Sequence, residues 1–273
     1  QTVSISDGVA YSRNMDWTGV TNTPIFDVDH DLSIYGSLTF VPNMTVSSSS
    51  DVYFKSLETG NSVTFSEHNI YGNVVFNSVG GEWTLQDSVS TSTNKDFKVL
   101  NGVLNTGGNA VRTGNFVVNS TATVNLSSSN IYLYKAFSSV NSSNFNPGTS
   151  SIYLRHDYSS SYTFQSYASA IHNLIIESTH ASRITATGGS YNKIVQRGSG
   201  TATLVNITSD SIIVEAGKNL NLSGTILVND YVSLSGTPSS PTYLSGAGSS
   251  DSLLVASGNL CFEYLRVSDV NAG

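Results

Sequence analysis

Charge is scarce in this chain. Of 273 residues only 11% are Asp, Glu, Lys or Arg, against roughly 25% in an average soluble domain. Helix surfaces are usually covered with Glu and Lys, so this scarcity argues against a helical protein. Twelve Lys and Arg against nineteen Asp and Glu leave a net charge of -7 with no basic block, so nucleic acid is not an expected partner. A single cysteine excludes a disulfide framework and a cysteine-built metal site. Cys261, between Leu260 and Phe262, reads as a small buried hydrophobe. Five prolines exclude a Pro-rich linker. No apolar run approaches the roughly 18 residues of a spanning helix, so no membrane-spanning segment is expected. The chain opens at Gln1-Thr2-Val3 with neither Met nor a charged leader. A secreted chain after signal-peptide removal looks like this, as does a trimmed one.

What the chain has is 48 Ser, 26 Thr, 26 Asn and 23 Gly. Disorder does not follow, because 38% of residues are hydrophobic and 25 are Tyr or Phe, enough to form a core. Few charges with abundant Ser, Thr and Asn suggest a secreted or surface protein of bacteria.

The apolar residues come as short period-two triplets rich in β-branched and aromatic types. Examples are Val52-Tyr53-Phe54, Val63-Thr64-Phe65, Trp83-Thr84-Leu85, Val124-Asn125-Leu126 and Leu220-Asn221-Leu222. Gly, Asn, Ser or Asp flank each one, which are turn residues. Successive triplets lie too close for a crossover helix, so the chain is all-β. The strands are too short and too numerous for one sandwich. Asn and Ser recur at the corners, where side-chain ladders can bond one coil to the next. A weak repeat relates Ile34-Tyr35-Gly36-Ser37-Leu38-Thr39-Phe40 to Leu222-Ser223-Gly224-Thr225-Ile226-Leu227-Val228. We therefore expect an elongated parallel β-helix (a β-solenoid) with short strands and Ser/Asn/Gly-rich turns. Coils of about 22 residues would stack some twelve deep at roughly 4.8 Å each. Residues 1–31 break the rhythm and are expected to cap the end; 32–273 form the solenoid, continuing into further domains.

Among candidates for chemistry, Asp27-Val28-Asp29-His30-Asp31 is the most acidic. On a strand, alternation sets Asp27, Asp29 and Asp31 on one face. A calcium ion would relieve their repulsion, whereas an acidic edge in solvent needs none. The glycine and distal glutamate of a calcium loop are missing. No G-x-S-x-G, H-E-x-x-H or phosphate-binding loop occurs. Glu177, Asp210 and Glu215 read as isolated acids, so no catalytic residues and no organic cofactor are assigned. Tyr153, Tyr158, Tyr162, Phe164 and Tyr167 form an aromatic cluster. Tyr162 and Phe164 read as core, while Tyr158 and Tyr167 either cover a lateral loop or stack on sugar rings.

Over residues 50–135 a particular order of strings stands out. It runs Val52-Tyr53-Phe54-Lys55-Ser56, Gly60-Asn61-Ser62-Val63, Gly72-Asn73-Val74-Val75-Phe76-Asn77, Gly80-Gly81-Glu82-Trp83-Thr84-Leu85 and Asn101-Gly102-Val103-Leu104-Asn105-Thr106. This resembles a segment near the N-terminus of large surface proteins of gliding Bacteroidota, adhesin-like cargo of the type IX secretion system. Phe145-Asn146-Pro147-Gly148-Thr149-Ser150 and Cys261-Phe262-Glu263-Tyr264-Leu265 resemble later pieces of that segment, with Pro147 departing from it. The resemblance implies export to the cell surface and a role in adhesion or gliding. Its implied partners are the secretion and surface-anchoring machinery and a surface or extracellular polysaccharide. It also implies O-glycosylation after Asp, at Ser88, Ser211 and Ser252. A carbohydrate-active β-helix and a phage or fimbrial fibre segment are the alternatives.

Overall fold

The structure, a computed structural model, describes residues 2–5, 8–47, 49–139, 144–156, 161–166, 170–179, 184–246, 248 and 250–271. It is all-β, with parallel strands stacked as a β-solenoid of about eleven turns. Register partners are separated by 22 residues at Ile152↔Leu174, 20 at Leu174↔Ile194, 18 at Ile194↔Ile212 and 28 at Val232↔Leu260. The chain divides into two compact units, residues 1–134 with 138–150, and 135–137 with 151–273.

In the first unit, no change of architecture marks residue 31. Thr2–Ile5 pairs with Ile25–Val28, Ala10–Ser12 with Leu32–Ile34, and Met15–Asp16 with Leu38–Thr39, all parallel. The segment expected as a cap is thus built from strands in register with those that follow. The core is aromatic, because each triplet contributes a ring where the next coil contributes another. Phe54 stacks on Phe76 at 4.6 Å between centroids, Phe76 meets Phe97 at 5.5 Å, and Phe97 meets Phe116 at 5.4 Å. All four are fully buried, and such pairs add about 0.5–1.5 kcal/mol each beyond their buried area.

Polar side chains do at the corners what rings do inside. Asn105 Nδ2 donates to Glu82 Oε1, Asn125 Nδ2 to Asn105 Oδ1 and Asn146 Nδ2 to Asn125 Oδ1, at 2.8, 2.7 and 2.7 Å. A second ladder satisfies backbone donors that the corner frees from the sheets. The amides of Asp51, Asn73 and Asp96 donate to the side-chain oxygens of Asp31, Asp51 and Asn73. Each link joins neighbouring coils, so a shift of register breaks the whole row.

The second unit, by itself, has a mainly aliphatic core. Strands Ser151–Leu154, Ile171–Ile176, Ser190–Gln196, Thr208–Val214 and Thr225–Ser235 pair in succession, bringing Ile152, Leu174, Ile194, Ile212 and Val232 into one buried row. Opposite runs a six-stranded sheet of Tyr162–Gln165, Ile184–Thr187, Thr201–Val205, Asn219–Ser223, Thr242–Gly246 and Leu265–Ser268. Tyr162 and Phe164 are core, as expected. The last coil carries Leu260, Phe262 and Val267 in register with buried Val232, Leu234 and Leu244. These three stay about half exposed.

The sequence repeat has a structural counterpart. Gly36 and Gly224 sit where a Cβ would approach Asn14 Oδ1 to 2.1 Å and Asn206 Oδ1 to 2.0 Å. Those same oxygens accept the following amides, Ser37 N at 2.8 Å and Thr225 N at 3.1 Å. An Asn one coil earlier thus closes the corner, and only glycine leaves it room.

Candidate functional site

A concentration of ionisable side chains lies on one flank of the second unit. Leu154, Ile176, Gln196 and Val214 are register partners with their side chains buried. The residue after each therefore points outward at the same corner. Those residues are Arg155, Glu177, Arg197 and Glu215. Neighbouring strands are about 4.8 Å apart, a distance at which alternating signs attract and like signs repel.

The Glu177 side chain, 16% exposed, lies between two guanidinium groups. Arg155 Nε donates to its Oε2 at 2.6 Å and Arg197 Nε to its Oε1 at 2.8 Å, with Arg197 Nη2 also on Oε1. Both guanidinium groups also approach the Tyr153 ring, at 5.8 and 5.9 Å from its centroid. Burial alone would raise the Glu177 carboxyl, but the two arginines outweigh it and hold the group below its usual range. Beyond Arg197 the row ends in Glu215, exposed. Lys218 follows after one turn, its amide donating to the Glu215 carbonyl at 3.2 Å. Together with Thr179, Gly198 and Ser199 these groups line an open depression of about 460 Å³.

This corrects the reading of Glu177 and Glu215 as isolated acids. Stacking brings two carboxylates and three cations to one groove, the arrangement in which a carbohydrate-active site would be sought. General-acid chemistry on a sugar needs a carboxyl whose pKa is raised, paired with a second carboxylate. Here the half-buried member, Glu177, is shifted the other way. Sequence offered one faint signal: charges of alternating sign directly follow the ends of successive strands, as in Leu154-Arg155, Ile176-Glu177, Gln196-Arg197 and Val214-Glu215.

The acidic triplet is not assembled as alternation predicted. The strand Ile25–Val28 stops before Asp29, and residues 29–30 bend into a corner. Asp27 accepts the Ser47 hydroxyl at 3.1 Å and Asp31 the Asp51 amide at 3.2 Å, while Asp29 is exposed. Among the described residues no three His, Cys, Asp or Glu side chains are grouped to hold a metal ion. The corner separates groups that an unbroken strand would have aligned.

Cys261 is also placed differently from expectation. It is half-buried, the register partner of Ser233, with Sγ 3.4 Å from Ser235 Oγ. Tyr158 and Tyr167 lie outside the described residues.

The three serines after Asp are half-buried. Ser88 Oγ accepts the Ala110 amide at 3.2 Å, and Ser211 Oγ donates to the Asn192 carbonyl at 3.3 Å. Ser211 stands inside Thr208–Val214 beside a register shift. Ser252 begins its strand, and its hydroxyl makes no hydrogen bond among the described residues. Two of the preceding aspartates are structural. Asp87 accepts the amides of Phe65 and Ser66, and Asp251 those of Gly224 and Gly248.

Among the described residues no helix is long and apolar enough to cross a membrane. No known protein family matches the chain, and neither a curated protein nor a solved structure shows significant similarity to it.

Proposed function

We propose that the chain is a non-enzymatic binding module of an exported cell-surface protein, displayed for adhesion or gliding and facing a surface or extracellular polysaccharide. The observation that carries the non-enzymatic part is the state of Glu177. Both of its carboxylate oxygens accept from Arg155 and Arg197, so the group is committed to the row that stacks the coils. The binding part is supported by flanks that repeat Ser, Thr and Asn side chains at the strand spacing, offering donors and acceptors without fixed charge. Export by type IX secretion rests on the sequence resemblance. On this reading Ser252 is the best placed of the three serines for an O-glycan, because its hydroxyl is not committed to the fold. Intact mass of the protein from its native host should exceed the chain by whole sugar units, and a bare mass would remove this element.

A lyase-type reading has one observation in its favour: Arg155, Arg197 and Lys218 line the same depression as Glu177 and Glu215. Incubation of purified protein with acidic and neutral polysaccharides separates the two. Binding without release of new chain ends is the expected outcome; depolymerisation lost in Lys218→Ala would establish the enzyme instead.

A further inference from the structure

A second depression, of about 510 Å³, lies on the six-stranded face of the same unit. Register sets Thr201, Asn219, Tyr243 and Arg266 in one outward row, with Asn221 and Ser245 in the row beside it. The Tyr243 ring is 41% exposed. The Arg266 guanidinium stands 5.5 Å from its centroid, and Nη1 donates to the phenol oxygen at 3.2 Å. That is its one hydrogen bond among the described residues, and no carboxylate there lies within 4.0 Å of it. A guanidinium has five N–H donors, so four remain unused. Ser245 Oγ donates to Asn221 Oδ1 at 2.5 Å, leaving the Asn221 amide nitrogen without a protein acceptor among the described residues.

We infer that this groove is a subsite for a carboxylate-bearing sugar, such as one uronic acid residue within a polysaccharide. The inference rests on the proposed role in polysaccharide binding and names the place and the ligand class. Each component has a counterpart in such a ligand. The apolar face of a pyranose packs on the aromatic edge left by Tyr243. The planar guanidinium matches a carboxylate in two-point geometry. The side-chain amides of Asn219 and Asn221 meet hydroxyls, being donor and acceptor at once. Successive strands about 4.8 Å apart present these groups at close to the rise of one hexose along an extended chain. In a chain carrying net charge -7, an arginine with no carboxylate of the described residues within 4.0 Å is an attractive point for an anion. The contrast with Arg155 and Arg197, both consumed by Glu177, makes this groove the better anion acceptor of the two.

The test measures binding of the whole 273-residue chain to polygalacturonate, alginate and hyaluronate, with dextran and poly-glutamate alongside. At least one acidic polysaccharide should bind and dextran should not. Arg266→Gln and Tyr243→Ala should each weaken that binding by about tenfold or more. Tyr71→Ala, an exposed tyrosine of the other unit, should leave it unchanged. Both groove side chains are exposed, so unaltered melting temperatures should accompany the losses. Undiminished binding by both groove variants would overturn the site while leaving the proposed function standing. Equal binding of dextran would overturn the acidic class, and equal binding of poly-glutamate would show an anion site with no sugar selectivity. Failure of every polysaccharide to bind would overturn both readings.

Discussion

At the scale of single residues, Glu177 is the member of the charged row with most to lose. Replacing it with Gln removes the partner of two guanidinium groups and leaves them facing each other across one coil. The pairs are partly exposed, so Glu177→Gln is expected to cost about 1 kcal/mol near neutral pH. Its pH dependence has a definite sign. A carboxyl held below its unfolded value, near about 4.3, contributes stability above that value. The contribution is lost as pH falls through the depressed folded pKa. Wild type and variant should therefore converge in stability on acidification below about pH 4, measured by denaturant titration. A gap that stays constant from neutral to acid would contradict the ion-pair assignment. Tyr162 offers a neutral counterpart, for its buried phenol oxygen accepts the Phe137 amide. Tyr162→Phe removes this buried hydrogen bond and should destabilise by about 0.5–1.5 kcal/mol, read from denaturant titration.

At the scale of elements, the string Gly80-Gly81-Glu82-Trp83 has a steric explanation. Val74–Leu85 runs twelve residues with a register irregularity in its middle, where the two glycines fall. A Cβ on Gly81 would approach Ser56 O to 2.1 Å and Trp83 Cη2 to 2.4 Å. The fully buried indole thus occupies the space that glycine vacates. Gly81→Ala should cost about 3 kcal/mol, because backbone of the preceding coil must move. A melting temperature equal to wild type would show that the coil gives way freely.

The strands themselves were legible as period-two triplets, and the Asn and Ser ladders as turn residues recurring at corners. The rows of functional side chains were not, for a geometric reason. Arg155, Glu177 and Arg197 are separated by 22 and then 20 residues, and Glu215 by a further 18. Tyr243 and Arg266 are 23 apart. Corners of variable length absorb those differences, so residues that touch share no constant interval in the chain. The Asp27–Asp31 reading failed for the complementary reason. Alternation holds along a strand, and a corner beginning at Asp29 ends it.

For the molecule as a whole, each coil is completed by the next, and the last described coil shows what an uncovered layer looks like. Leu260, Phe262 and Val267 extend buried rows yet remain about half exposed, on the strands Asn259–Glu263 and Leu265–Ser268. Exposed apolar edges favour association. The 273-residue polypeptide should scatter light increasingly with concentration, and Leu260→Lys with Phe262→Lys should suppress this without lowering the melting temperature much. Scattering identical in the double variant would place the association elsewhere.

Coil-on-coil pairing also sets how such a protein answers a mechanical load. Within each unit, the hydrogen bonds joining coils run across the strands, so tension that separates neighbouring coils opens their ladder one bond after another. Bonds opened in sequence yield at lower force than a set that must break together. A coil freed from its neighbour releases its own length of chain, 18–28 residues where register shows it. For a coil of twenty residues that is roughly 70 Å at full extension. A chain built this way would lengthen in modest, repeated steps under load. Pulling one molecule in an optical trap should give a staircase of such steps rather than one large rip.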